Sequence, residues 1–170
     1  MEKNNADPEA NLESNVKYFM QELGYYCSQA SFATLQKLLS IECDTSAFIK
    51  ALRPFPGIAL RFETCGAVTG SLIAIGLIHG TTGGDDQGQL TTCLTIADEF
   101  CSRFEKEMGS TRCGDIMERQ FGKRFNLRQS EQWQEFRDAG SKEKCPEVVT
   151  CAVRIAFDLL SKGRSGDHTK

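Results

Sequence analysis

Eight cysteines carry most of the chemistry open to this 170-residue chain: Cys27, Cys43, Cys65, Cys93, Cys101, Cys113, Cys145 and Cys151. The thiolate, not the thiol, attacks disulfides and binds metals, so what matters is where each cysteine sits. A helix N-terminus offers unpaired N–H groups and the positive end of the helix dipole, which bias a thiol there toward thiolate. Four of the eight immediately precede or open a predicted helix. Cys27 leads into Ser28-Gln29-Ala30, Cys65 into Gly66-Ala67, Cys113 into Gly114-Asp115-Ile116 and Cys145 into Pro146-Glu147-Val148. Cations adjoin two of them, Arg112 at Cys113 and Lys144, with Lys142, at Cys145.

The other four have plainer readings. Cys101 lies on the apolar stripe of a long predicted helix and Cys93 beside it, and Cys151 lies between Val148 and Ile155, so all three are expected to pack as small hydrophobes. Cys43, between Glu42 and Asp44, has its thiolate disfavoured by two acids. No pair forms a C-x-x-C, so neither the thioredoxin-type motif nor a zinc-finger spacing is present. Local sequence leaves open which cysteines meet.

The elements that must position these thiols read as helical throughout. Asp7-Pro8-Glu9 starts a helix that repeats Val16, Phe19, Met20 and Leu23 until Gly24 stops it. A second is expected over 28–39 and a short one over 46–52. Pro54 and Pro56 disfavour helix at the residues before them, so 53–65 is expected to be loop. Residues 67–78 are apolar nearly all round and predict a buried helix, with Gly66, Gly70 and Ala74 as a ladder of small residues for an internal or a subunit contact. Residues 80–86 read as loop.

The longest helix is expected over 89–108, with Leu90, Leu94, Ala97, Cys101, Phe104 and Met108 on one stripe. Short helices over 114–121 and 132–137, the latter holding the single Trp133, precede a last one from Pro146 to about Leu160 with Val148, Ala152, Ile155 and Leu159 on its main stripe. The fold class is all-α: one compact domain over 1–163, a bundle of about six to eight irregular helices, with a disordered tail over 164–170.

Charge and composition exclude several functions. A formal charge of −3 and a pI near 5.5, with acids and bases interleaved, offer no field for nucleic acid. The N-terminus lacks an apolar signal region and no segment is apolar enough to span a bilayer, so a cytoplasmic protein is expected, where thiols stay reduced. Gly80 to Gly84 lacks the lysine of a phosphate loop. Asp85 and Asp86 lack further oxygen ligands for a cation. No serine-histidine-acid set assembles, and His79 reads as a residue of a helix C-terminus.

The segment Cys65-Gly66-Ala67-Val68-Thr69-Gly70 is a C-G-A-x-x-G signature. With Tyr26-Cys27-Ser28-Gln29-Ala30 upstream, and Gly109-Ser110-Thr111-Arg112-Cys113 and Lys144-Cys145-Pro146-Glu147-Val148-Val149 downstream, it resembles the redox-active family named C_GCAxxG_C_C, over about residues 15 to 160. The resemblance implies a prokaryotic helical protein whose redox-active cysteines are Cys27, Cys65, Cys113 and Cys145. Members usually approach the signature through a glycine-rich stretch, whereas 56–64 here holds Gly57 alone, which implies a stiffer or differently shaped loop. A related domain in split-Soret cytochromes associates such cysteines with an iron–sulfur cluster, and four thiolates suffice for one. Haem is not implied, since there is no C-x-x-C-H.

Three classes of function remain. The four thiols ligate an iron–sulfur cluster or cycle between dithiol and disulfide, as an electron-transfer or thiol-redox protein with a partner redox protein; or they close a structural zinc site; or the chain is a helical interaction domain with inert cysteines. A homo-oligomer is compatible with all three.

Overall fold

The computed structural model describes residues 8–83 and 87–164; Asp7, Gly84 to Asp86 and the tail beyond Arg164 lie outside the described residues. Helix α1 (Pro8–Lys17) runs into a π-helical turn (Tyr18–Glu22), followed by α2 (Cys27–Leu39), α3 (Thr45–Ala51), a single turn α4 (Gly57–Leu60), α5 (Gly66–His79), α6 (Gln87–Met108), α7 (Cys113–Phe121), α8 (Ser130–Asp138) and α9 (Ser141–Arg164). Among the described residues there is no strand, only one isolated antiparallel bridge between Thr64 and Arg112. The all-α expectation holds, and most predicted helices lie within a residue or two of their expected bounds.

The core forms where α2, α5 and α9 pack together. Phe32 and Leu35 of α2, Val68 and Ile75 of α5, and Val149, Val153 and Leu160 of α9 are almost wholly buried. The ladder on α5 is what lets α2 approach. A Cβ on Gly70 would stand 2.2 Å from the carbonyl oxygen of Ser28, and one on Gly66 would stand 2.3 Å from the Cys27 sulfur. The ladder is therefore an internal contact. Buried serines lace the same seam: the Ser31 hydroxyl donates to the Ala67 carbonyl at 2.9 Å and pairs with the Ser71 hydroxyl at 2.8 Å. Such hydrogen bonds satisfy polar groups that would otherwise be costly so deep in the core.

Three expectations are corrected. Of the stripe on α6 only Phe104 is buried, beside Phe100 just off it; Ala97, Cys101 and Met108 are half-buried, and Leu90 and Leu94 are 46% and 59% exposed, because the first half of the helix runs past the core. Cys93 and Cys101 on that helix are accordingly half-buried rather than core, while Cys151 is buried. The last helix begins at Ser141 rather than Pro146. A proline inside a helix frees the carbonyl four residues back, and here the Lys142 carbonyl accepts instead from the Gln21 side chain at 3.1 Å. The helix also continues past Gly163 to Arg164.

The close seam makes two glycines of α5 respond oppositely to one methyl group. Gly70→Ala drives a Cβ into backbone and is expected to cost about 2–3 kcal/mol. Gly76→Ala meets no atom within 4 Å and is expected to gain about 0.5–1 kcal/mol from helix propensity. Urea unfolding followed by circular dichroism measures both, and equal midpoints for the two variants would contradict the contact.

Candidate functional site

Backbone geometry gathers the four singled-out cysteines. Cys65 is the N-cap of α5, and Cys27 and Cys113 are the first residues of α2 and α7. The bridge at Thr64 and Arg112 lays the starts of α5 and α7 side by side. The Cys65 N–H donates to the Thr111 carbonyl at 2.9 Å, and the Cys113 N–H to the Glu63 carbonyl at 2.7 Å. Gly66 brings in Cys27 from α2, as described above. Cys145 joins from α9, against the small aromatic cluster of Met117, Phe125 and Phe136. It lies in the second turn of α9, not at a helix start, which corrects the expectation for that residue.

All four sulfur-bearing residues line one cavity of about 680 Å³. Cys65 is buried and the other three are partly so. The remaining cysteines lie elsewhere. Cys151, on the far side of α9, points its sulfur at the Glu107 carboxylate at 3.5 Å, and burial with that carboxylate pushes its pKa up to about 12. Burial, with Asp98 and Glu105, also pushes Cys101 up. His79 stands in the last turn of α5, as expected, and burial lowers its pKa.

The four thiols are not alike. Cys65 alone is held below the ordinary thiol value: the Cys27 thiol donates toward its sulfur, and the backbone N–H groups of Ala67 and Val68, at the open end of α5, add to this against the opposing effect of burial. Cys27 is raised, first because it gives its proton to that interaction and then by burial and the three neighbouring sulfurs. Cys113 is raised by burial and by Cys65 and Cys145. Cys145 is pushed up to about 12 by burial and by Cys65. The expectation of a thiolate bias at all four is thus corrected to Cys65 only. Desolvation outweighs the helix start at Cys113, the interaction with Cys65 raises Cys27 before burial does, and Cys145 has no helix start to lower it.

Two of the three expected cations are engaged elsewhere, while Lys142 lines the cavity. Arg112 pairs with Glu63 at 3.4 Å, and the Lys144 ammonium donates to the Gln120 carbonyl at 2.6 Å and lies over the Phe121 ring.

The loop before Cys65 is built unusually. Gly57, Ile58, Ala59, Leu60 and Phe62 all have φ between +47° and +67°, so α4 is a left-handed turn. Only glycine takes that conformation without strain. Gly57 also sits close to Cys113: a Cβ there would lie 3.3 Å from the Cys113 Cβ and 3.4 Å from its sulfur, a tight contact. Sequence reasoning expected a loop here, stiffer or differently shaped than in the family, and the lone Gly57 after Pro54 and Pro56 was the available signal. The aromatic wall of the cavity also escaped it, although the single Trp133 marks the place.

Four thiols match an iron–sulfur cluster or zinc in number and softness. Their spacing is a different matter: among the described residues no three His, Cys, Asp or Glu side chains lie so as to hold one metal ion. The arrangement instead presents one acidic thiol, Cys65, beside one proton donor, Cys27.

Residues 25–159 match the model of a family described as "Putative redox-active protein (C_GCAxxG_C_C)". No curated protein and no solved structure matches the chain. Among the described residues no helix is long and apolar enough to cross a membrane.

Because Cys27 donates toward the Cys65 sulfur, deprotonation of Cys65 is shifted to lower pH, and removing the donor reverses that shift. The rate of Cys65 alkylation by iodoacetamide, followed by peptide mass spectrometry, is expected to have its midpoint below about 8.5, the free-thiol value. In Cys27→Ala the midpoint moves upward. An unchanged midpoint would refute the interaction.

Proposed function

The chain belongs to the C_GCAxxG_C_C family, and on that premise we propose that it is a thiol-based redox protein whose working pair is Cys65 and Cys27. The observation that carries this reading is geometric: a Cβ on Gly66, the residue after Cys65, would stand 2.3 Å from the Cys27 sulfur, and both cysteines line one cavity; the lowering of Cys65 and the raising of Cys27 accord with it. Oxidation breaks two S–H bonds and forms one S–S bond, releasing two electrons and two protons to an acceptor; a donor of two electrons and two protons reverses it. Cys65 supplies the nucleophilic sulfur and Cys27 closes the disulfide. Cys113 and Cys145, protonated and adjacent, can take over the disulfide by exchange, which moves it along the cavity wall without net redox change.

A bound iron–sulfur cluster is the second reading, supported by the convergence of four cysteines on one cavity. It requires the sulfurs to move from their present spacing into a ligand set. Zinc makes the same geometric demand and would carry no electrons.

Purification under anaerobic conditions, with iron, zinc, acid-labile sulfide and free thiols assayed on one sample, tests the proposal. The expected protein is colourless and metal-free, loses a pair of thiols to diamide and regains them with dithiothreitol. Cys65→Ser is expected to abolish the loss and Cys101→Ser to leave it intact. Stoichiometric zinc, or iron with labile sulfide, would overturn the dithiol reading.

A further inference from the structure

The cavity is far larger than disulfide chemistry between adjacent sulfurs requires. At about 680 Å³ it falls within the roughly 300–1,000 Å³ range of small-molecule sites. A chain of aromatic side chains runs along part of its wall. Tyr26, 38% exposed, meets Trp133 edge to face with ring centroids 6.4 Å apart; Trp133 continues to Phe136 at 6.4 Å, and Phe136 to Phe121 at 5.1 Å. Phe136 is buried and Lys144 covers one face of Phe121, but Tyr26 and Trp133 keep part of their surface open, and such aromatic surface favours a planar conjugated guest.

Exposed Arg137 and Lys142 flank the same cavity, with Glu143 as the one acid among its lining residues. Among the described residues no ion pair engages either cation. The cavity is therefore apolar and aromatic within, with a net positive edge.

We propose that this cavity takes a planar conjugated ring system bearing an anionic substituent, of quinone or flavin type, as the two-electron partner of the thiols on its wall. The inference rests on the dithiol reading. In the reaction two S–H bonds break and one S–S bond forms; the two electrons and two protons pass to the ring, turning two quinone carbonyls into hydroxyls or two flavin ring nitrogens into N–H groups. No further reactant is needed. Aromatic side chains hold the ring against the sulfurs, and Arg137 and Lys142 meet its anionic group.

Trp133 is the only tryptophan, so its fluorescence reports the cavity directly. The test is an anaerobic titration of the reduced full-length protein with anthraquinone-2-sulfonate and, separately, with flavin mononucleotide. Saturable quenching is expected with half-saturation below about 100 µM, with one ring reduced for each pair of thiols lost. A response to one probe alone assigns the source as quinone or flavin. Arg137→Glu, at an exposed position, is expected to weaken probe binding about tenfold, as reversal of a nearby charge should; equal affinity overturns the anionic recognition. Absence of quenching by either probe, with diamide still oxidising the thiols, overturns the ligand and leaves the dithiol reading standing. Saturable quenching without reduction, and with the thiols untouched by diamide, overturns the dithiol reading and with it the proposed electron transfer.

Discussion

The site depends on how closely α2 lies against α5. Two missing methyl groups, at Gly66 and Gly70, set that distance, because any Cβ there would overlap the Cys27 sulfur or the Ser28 backbone. The helices then meet through backbone and small side chains, with Ser31 and Ser71 hydrogen-bonded within the seam. Cys27 at the start of one helix and Cys65 at the start of the other are brought together as a result. The signature glycines are therefore spacers, and the sulfurs they bring together are what the spacing serves. A packed core transmits such a constraint because it has no slack to absorb an added group.

Burial gives the cluster its chemistry by opposing the helix dipole. A helix start favours a thiolate, but removing an anion from water costs more than one helix end returns unless direct donors compensate. Cys65 has them, in the Cys27 thiol and two backbone N–H groups, and its pKa falls. Cys113 and Cys145 lack such donors and rise. One activated sulfur among protonated neighbours suits stepwise disulfide exchange, in which one thiol attacks and another resolves. The left-handed turn at 57–60 lines this arrangement, and at Gly57, with φ +52°, it passes close to Cys113.

Much of this was legible in the sequence, for identifiable reasons. Helical periodicity placed α2 and α6, a long apolar run placed α5, and glycines mark the ends of α5 and α7 and the C-terminal end of α6. The gathering of the four cysteines on one cavity agrees with the family resemblance, while helix placement held for Cys27, Cys65 and Cys113 and failed for Cys145. What escaped depended on tertiary facts. Pro146 looked like a helix start until Gln21, distant in sequence, took up the freed Lys142 carbonyl. Leu90 and Leu94 belong to a stripe of correct period that outruns the core. The thiol acidities were misjudged because helix position can be read locally, whereas burial and the paths of Arg112 and Lys144 cannot. Ile58 in a left-handed turn runs against its own backbone preference, so no propensity argument would place it there.

The pairing of Cys27 with Cys65 is open to a direct measurement. The protein is oxidised stoichiometrically with diamide, its remaining thiols are blocked under denaturing conditions at low pH, and the disulfide-linked peptides are mapped by mass spectrometry before exchange can scramble them. The first bond to accumulate is predicted to join Cys27 to Cys65. A first bond from Cys65 to Cys113 or Cys145, with Cys27 left free, would contradict the pairing and the role given to Gly66 and Gly70 in creating it.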